Sequence, residues 1–214
     1  MNREELFKLA EEAVRDEELR SAEIPSIDLY VDQIINLVSD KNAKGAERYK
    51  DKQLTKTMIN NYSKDGLIAP IKGKKYTKEQ IIQILCIYSL KNSLSIGEIK
   101  RLLDGVYSIE NYKEDHNESA LTDTYDRYID IKTDNRELAL SVLSQLTEKH
   151  ELNVEDDQGF ILTAGALLSL SSFLREIAQT MIDEKYPVAD EAEEKAKPKK
   201  AKSKEKGKKQ STKE

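Results

Sequence analysis

The 214-residue sequence has no tryptophan, one cysteine, two histidines, four prolines and eight glycines. Each scarcity excludes something. The single cysteine, Cys86, cannot close an internal disulfide, which fits a reducing compartment. So few glycines and prolines cannot supply the many turns of a large sandwich or barrel, and an aromatic content of 6% points the same way. His116 and His150 stand far apart with no cysteine or carboxylate at ligand spacing, so neither a metal site nor a cofactor is expected. No glycine-rich loop is followed by Lys-Ser/Thr, and the acidic pairs Asp156-Asp157 and Glu193-Glu194 read as solvated charge. No uninterrupted apolar run approaches the ~18 residues of a membrane span. The opening Met1-Asn2-Arg3-Glu4-Glu5 is acidic and lacks the apolar run of a signal peptide. The composition therefore predicts a cytoplasmic, mainly α-helical protein, not an enzyme, with no membrane partner.

What is present is charge, at 35% of residues, and it is unevenly placed. The net value of -5 conceals -6 over residues 1–43, +7 over 44–105, -10 over 106–188 and +4 over 189–214. Because fields act over a Debye length of roughly 8 Å, the basic block can meet an anionic partner despite the acidic total.

Periodicity places the elements. Leu6, Leu9, Ala13 and Val14 share a face of a helix predicted over residues 2–20. Pro25-Ser26 interrupts it, and Ser26 can cap a second helix over about 27–38 that buries Leu29 or Tyr30, Ile34, Leu37 and Val38. Residues 39–52 read as a polar loop or weak helix. Thr55 caps a short helix reaching about Asp65, and Gly66 with apolar Leu67 forms its left-handed stop. Ile68-Ala69-Pro70-Ile71 reads as a strand, Lys72-Gly73-Lys74-Lys75 as a turn, and Tyr76 as the close of a small hairpin. Thr77 with Gln80 and Ser95 with Glu98 are capping boxes for two further helices, the first apolar on nearly every face. Residues 106–133 are acidic with weak periodicity. A helix is expected over 136–149 and a longer one over 158–186. In the latter Phe160, Thr163, Leu167, Leu170, Leu174, Ile177 and Met181 alternate three and four apart, a heptad seam of roughly three heptads. Beyond Pro187 almost nothing remains to bury, and disorder is expected.

Four pieces in order carry a resemblance: Met58-Ile59-Asn60-Asn61-Tyr62, Gly66-Leu67-Ile68-Ala69-Pro70, Lys74-Lys75-Tyr76-Thr77 and Leu94-Ser95-Ile96-Gly97-Glu98-Ile99. The block of about fifty residues from Thr55 to Leu103 resembles the winged-helix DNA-binding domain of MerR-type bacterial regulators. It is more similar still to a bacterial family catalogued only as a domain of unknown function with the same helix-turn-helix character. Two departures stand out. Asn60 and Asn61 occupy the places of the family's Arg and first Tyr, and the long polar stretch 39–53 replaces a short turn.

The resemblance implies a mainly α fold: a winged helix-turn-helix with a small β-hairpin wing, flanked by helices. It implies four parts, an acidic N-terminal helical segment (1–43), a DNA-binding region (44–105), a C-terminal helical region (106–187) and a Lys-rich tail (188–214). The candidate DNA contacts are Thr55, Lys56, Asn60, Asn61 and Lys64 on the recognition helix, with Lys72, Lys74, Lys75 and Tyr76 on the wing. Asn pairs bidentately with adenine in the major groove, while Lys meets phosphates, so double-stranded DNA is the expected partner. A polar surface helix and a solubilising turn would look the same locally. The seam residues Leu167, Leu170, Leu174, Ile177 and Met181 suit either a homodimer interface or packing against the 136–149 helix. The alternative function is a helical protein–protein interaction module that uses the winged-helix scaffold without DNA.

Overall fold

The computed structural model describes residues 1–14, 18–42, 53–71, 73–107 and 119–188, and it is mainly helical. Helix α1 (Arg3–Ala13) is followed by a single 3-10 turn, Ser21–Glu23, then by strand β1 (Leu29–Tyr30) and helix α2 (Val31–Asn42). Helix α3 (Lys56–Lys64), strand β2 (Lys75–Tyr76), α4 (Lys78–Leu90), α5 (Ile96–Tyr107), α6 (Ser119–Lys149) and α7 (Asp157–Lys185) complete the order.

The core is built around α4. Ile81, Ile82, Ile84, Leu85 and Ile87 are buried together on nearly all sides of it, as a helix apolar all round requires. Thr77 accepts a hydrogen bond from Gln80 N–H at 3.3 Å while the Gln80 side chain accepts one from Thr77 N–H at 2.9 Å, so the expected capping box starts the helix. Against α4 pack α3 through Ile59 and Tyr62, α5 through Ile99 and Leu103, and α6 through Leu121, Tyr125 and Ile129.

Three expectations need correction. The local wing hairpin does not form: Ile68–Ile71 is not a strand, and Lys75–Tyr76 pairs antiparallel with the distant Leu29–Tyr30, Leu29 opposite Tyr76 and Tyr30 opposite Lys75. Pro70 cannot donate to a ladder, and the neighbouring backbone groups of Ala69 are taken by side chains of α4. Second, the helix predicted over 27–38 begins four residues later, because Leu29 and Tyr30 are drawn into that pairing. Third, the helix predicted over 136–149 starts at Ser119 and runs 31 residues, absorbing much of the segment that looked aperiodic. Tyr125 explains the misreading. Its ring is buried in the core and its hydroxyl donates to Leu19 O at 2.6 Å, so this tyrosine is an interior residue on a helix rich in surface acids.

The N-terminal segment lies along α6. Ser21 donates its N–H and its hydroxyl to Asp126, Arg20 pairs with Asp130, Lys132 with Glu18, and Arg3 with Glu148. Helix α1 itself buries none of its residues, and Leu9, expected on its core face, is exposed.

Two glutamines fix the chain between α3 and β2. Gln80 donates to the carbonyls of Ala69 and Pro70, both at 3.1 Å, and buried Gln83 accepts from Ala69 N–H at 2.9 Å. The Gln83 amide also donates to the Tyr107 hydroxyl, whose pKa is pushed up chiefly by burial. Replacing Gln83, which is buried, with Leu removes the acceptor of the Ala69 N–H and one hydrogen bond to the Tyr107 hydroxyl. We expect a loss of about 1–2 kcal/mol in urea unfolding at unchanged m-value.

Candidate nucleic-acid interface

Helix α3 is short, so its stability rests on its ends and on two anchors. Thr55 caps it, accepting from Met58 N–H at 3.2 Å. At the other end Gly66, at φ +67°, permits the Leu67 N–H to reach Tyr62 O at 2.9 Å and its own N–H to reach Ser63 O at 3.2 Å. Ile59 and Tyr62 face the core, and Met58 is half-buried beside the ammonium of Lys91 at 3.3 Å. Lys91 also lies over the ring of Tyr88, 4.4 Å from its centroid. The Tyr62 hydroxyl is buried without a hydrogen-bond partner among the described residues, and desolvation raises its pKa.

With that side fixed, the opposite one is fixed too. Lys56, Asn60 and Lys64 follow one another at helical i, i+4 spacing, with Thr55 and Asn61 beside them, and all five are exposed. The outward exposure follows because the buried Ile59 and Tyr62 leave the helix only one way to turn.

The β2 turn comes out differently. Lys74 and Lys75 are exposed, and Lys75 sits 5.1 Å from the ring centroid of Tyr30 across the two-stranded sheet. Lys72 lies outside the described residues. Tyr76, expected at the interface, is only 6% exposed and packs in the core, so it positions the strand and offers no side chain to a ligand. One cation was missed. Lys100 of α5 is exposed, and its ammonium lies 3.8 Å from where a Cβ on Gly66 would stand. The charge count of the basic block included it, but only the fold brings it to the end of α3.

Lys56, Lys64, Lys74 and Lys100 form no ion pair among the described residues. Arg101, their neighbour on α5, is engaged: it donates to Asp183 and to Tyr186 O of α7, each at 2.7 Å. Among the described residues no group of His, Cys, Asp and Glu is arranged to hold a metal ion. Burial of the Cys86 thiol pushes its pKa up to about 12, away from nucleophile chemistry.

A second surface lies on α7. On α7 Phe160, Ile161, Leu162, Leu168, Phe173, Leu174, Ile177 and Met181 are all exposed, an unusual concentration for one helix. By length and composition α7 could cross a membrane, although Ser, Thr and Gly interrupt its apolar runs. The seam read from its spacing is divided. Thr163 is buried against α6, Leu167 and Leu170 are half-buried, and Leu174, Ile177 and Met181 are open.

These features define a mainly helical protein with a two-stranded sheet and a cation-bearing helix held on a compact core. The chain belongs to the family described as a domain of unknown function, DUF1836, which it matches over residues 19–128, just over half its length. That interval coincides with the α4-centred core, whose buried members run from Leu19 to Ile129. Most of α6 beyond the core and all of α7 lie outside it. No curated protein and no solved structure matches the chain.

Proposed function

We propose that this protein binds double-stranded DNA in a sequence-specific manner, as a bacterial transcriptional regulator of MerR-like winged-helix type acting in the cytoplasm. The observation that carries the reading is the outward face of α3. Two adjacent amides, Asn60 and Asn61, stand between Lys56 and Lys64 on a helix whose other side is locked into the core. Amides of this kind read base edges, and flanking ammonium groups hold phosphates. Lys74, Lys75 and Lys100 extend the cationic surface beyond the helix, with the β1–β2 pair serving as the wing. Arg101 contributes nothing, since α7 already occupies it.

A salt titration with random-sequence duplex tests the reading. Each phosphate neutralised adds about 0.9 to the slope of log K against log salt, so changing Lys64, Lys74 and Lys75 together to Gln should flatten that slope by about 2–3 units. Absence of binding by the parent protein at low salt sinks the proposal. An unchanged slope removes these lysines from the interface.

The second reading, a helical protein–protein interaction module, has its own support in the exposed apolar residues of α7. Under that reading random and selected duplexes alike fail to bind, and the lysines are ordinary surface charge.

A further inference from the structure

The C-terminal end of α7 grips the helix that carries Lys100, and the grip occupies a cation. We propose that this contact is an autoinhibitory latch, in an extension of the DNA-binding reading on which it rests. While closed, the latch withholds Arg101 from the cationic surface; when it opens, the guanidinium joins that surface and meets one more phosphate.

Two matched stripes make the contact. Glu98, Arg101 and Gly105 follow one another on α5 at i, i+3 and i+7, while Gln179, Asp183 and Tyr186 do so along α7 at i, i+4 and i+7. They meet in order. Gln179 donates to Glu98 at 2.9 Å, Arg101 donates to Asp183 and to Tyr186 O at 2.7 Å each, and the Tyr186 side chain lies on Gly105. A Cβ on Gly105 would stand 2.5 Å from the Tyr186 ring, and the three atoms nearest to it all belong to that tyrosine. Glycine at this place makes room for the latch.

Arg101 follows Lys100 directly, and the Lys100 ammonium lies beside Gly66 at the end of α3. Consecutive Cα atoms stand about 3.8 Å apart, so a freed Arg101 side chain acts within the same Debye length, roughly 8 Å, as Lys100. With the latch closed its charge is paired, and the Asp183 carboxylate beside it repels a phosphate.

The hold is light enough to release. The Arg101–Asp183 pair is open to water, with the Asp183 side chain 60% exposed, and ion pairs of that kind contribute little in salt. Ile182 is the only apolar side chain that α7 buries among the described residues. Helix α5 lies inside the family interval while α7 lies outside it, and the core from Leu19 to Ile129 includes no residue of α7. The end of α7 can therefore leave without unfolding the domain it grips.

Gly105→Ala tests the latch without changing any charge, because the added methyl group unseats the Tyr186 ring. Binding of random-sequence duplex should be measured across salt for the parent protein, for Gly105→Ala, and for Gly105→Ala combined with Arg101→Gln. Gly105→Ala should steepen the slope of log K against log salt by about 0.9, so that its advantage over the parent grows about 3.5-fold between 200 and 50 mM salt. The added Arg101→Gln should cancel that gain. Without DNA, the Tyr186 amide, which donates to Ile182 O at 2.8 Å, should exchange its hydrogen faster in Gly105→Ala while α4 amides stay unchanged. Should Gly105→Ala lose its helical circular dichroism, Asp183→Asn decides the matter beside Glu184→Gln, which removes the same charge from its exposed neighbour. Only Asp183→Asn should then show the steeper slope. Equal affinity and slope for parent and opened variants overturn the latch and leave the DNA reading standing. A gain that survives Arg101→Gln overturns it as well. Duplex bound by none of these proteins ends the DNA reading itself and the latch with it.

Discussion

Changing Gly159 to Ala should destabilise the protein by about 3 kcal/mol or more, beyond the usual range for one added methyl group. The reason is local. Gly159 sits in the first turn of α7, where the chain has just reversed from α6, and a Cβ there would stand 1.9 Å from the carbonyl oxygen of Asn153 and 2.5 Å from its carbonyl carbon. Those are backbone atoms, and no rotamer change can clear them. They are also held in place. Asp156 caps α7 by accepting from Gly159 N–H at 2.7 Å, and the Asn153 side chain accepts from Glu155 N–H at 3.1 Å. Moving the loop would break the cap and lift Thr163, whose hydroxyl donates to Gly159 O at 2.8 Å, away from α6. In a chain of this size about 3 kcal/mol corresponds to a fall in Tm of roughly 6–12 °C. Gly165 supplies the comparison. It lies in the same helix, is exposed and has no atom within 4 Å of an added Cβ, so Gly165→Ala should stabilise by about 1 kcal/mol through helix propensity alone. Thermal melts of the two variants should move in opposite directions. Equal shifts would mean that the turn is not packed as described.

The contrast between these glycines shows what a sequence can and cannot carry. Gly66 was legible because a stop signal is local: glycine, then an apolar residue, at the end of a short capped helix. The capping boxes at Thr77 and Ser95 were legible for the same reason, each needing only four residues. Gly159 carries no such mark, since its constraint comes from a carbonyl across a turn. The partner of β2 was illegible too. Lys75 and Tyr76 pair with Leu29 and Tyr30, and two-residue strands leave no alternation to detect. Helix α6 was half seen. Its later turns show Leu138, Val142, Leu143 and Leu146 at helical spacing, of which Leu143 is buried and Leu138 proves exposed, while its earlier turns bury Leu121, Tyr125 and Ile129 among acids that pair with the N-terminal segment. At the candidate interface, the face of α3 could be read because Ile59 and Tyr62 fix its rotation. Lys100 could not be placed, because only the packing of α5 beside Gly66 puts its ammonium there, and Tyr76 was misplaced because its strand turns it inward.

The reading of α3 as a recognition helix leads to a second large effect, at Asn60 and Asn61. An amide that pairs bidentately with adenine discriminates by about 1–3 kcal/mol, or roughly 5- to 150-fold, whereas a phosphate contact contributes no sequence preference. Asn60→Ala and Asn61→Ala should therefore be tested singly by selection from a random duplex library, beside the parent protein. If the proposal holds, at least one variant loses preference at one base position while its affinity for unselected duplex barely moves, because Lys56, Lys64, Lys74 and Lys100 are untouched. Stability should also hold. Both amides are exposed on a helix anchored by Ile59 and Tyr62, and neither side chain takes part in the Thr55 cap or the Gly66 stop. That separation matters, since a loss of binding that accompanied unfolding would say nothing about base reading. A site enriched equally by the parent and both variants would leave the protein a DNA reader with the reading done elsewhere. A parent protein that enriches no sequence at low salt would end the regulator reading and leave the exposed face of α7 as the surface on which its function turns.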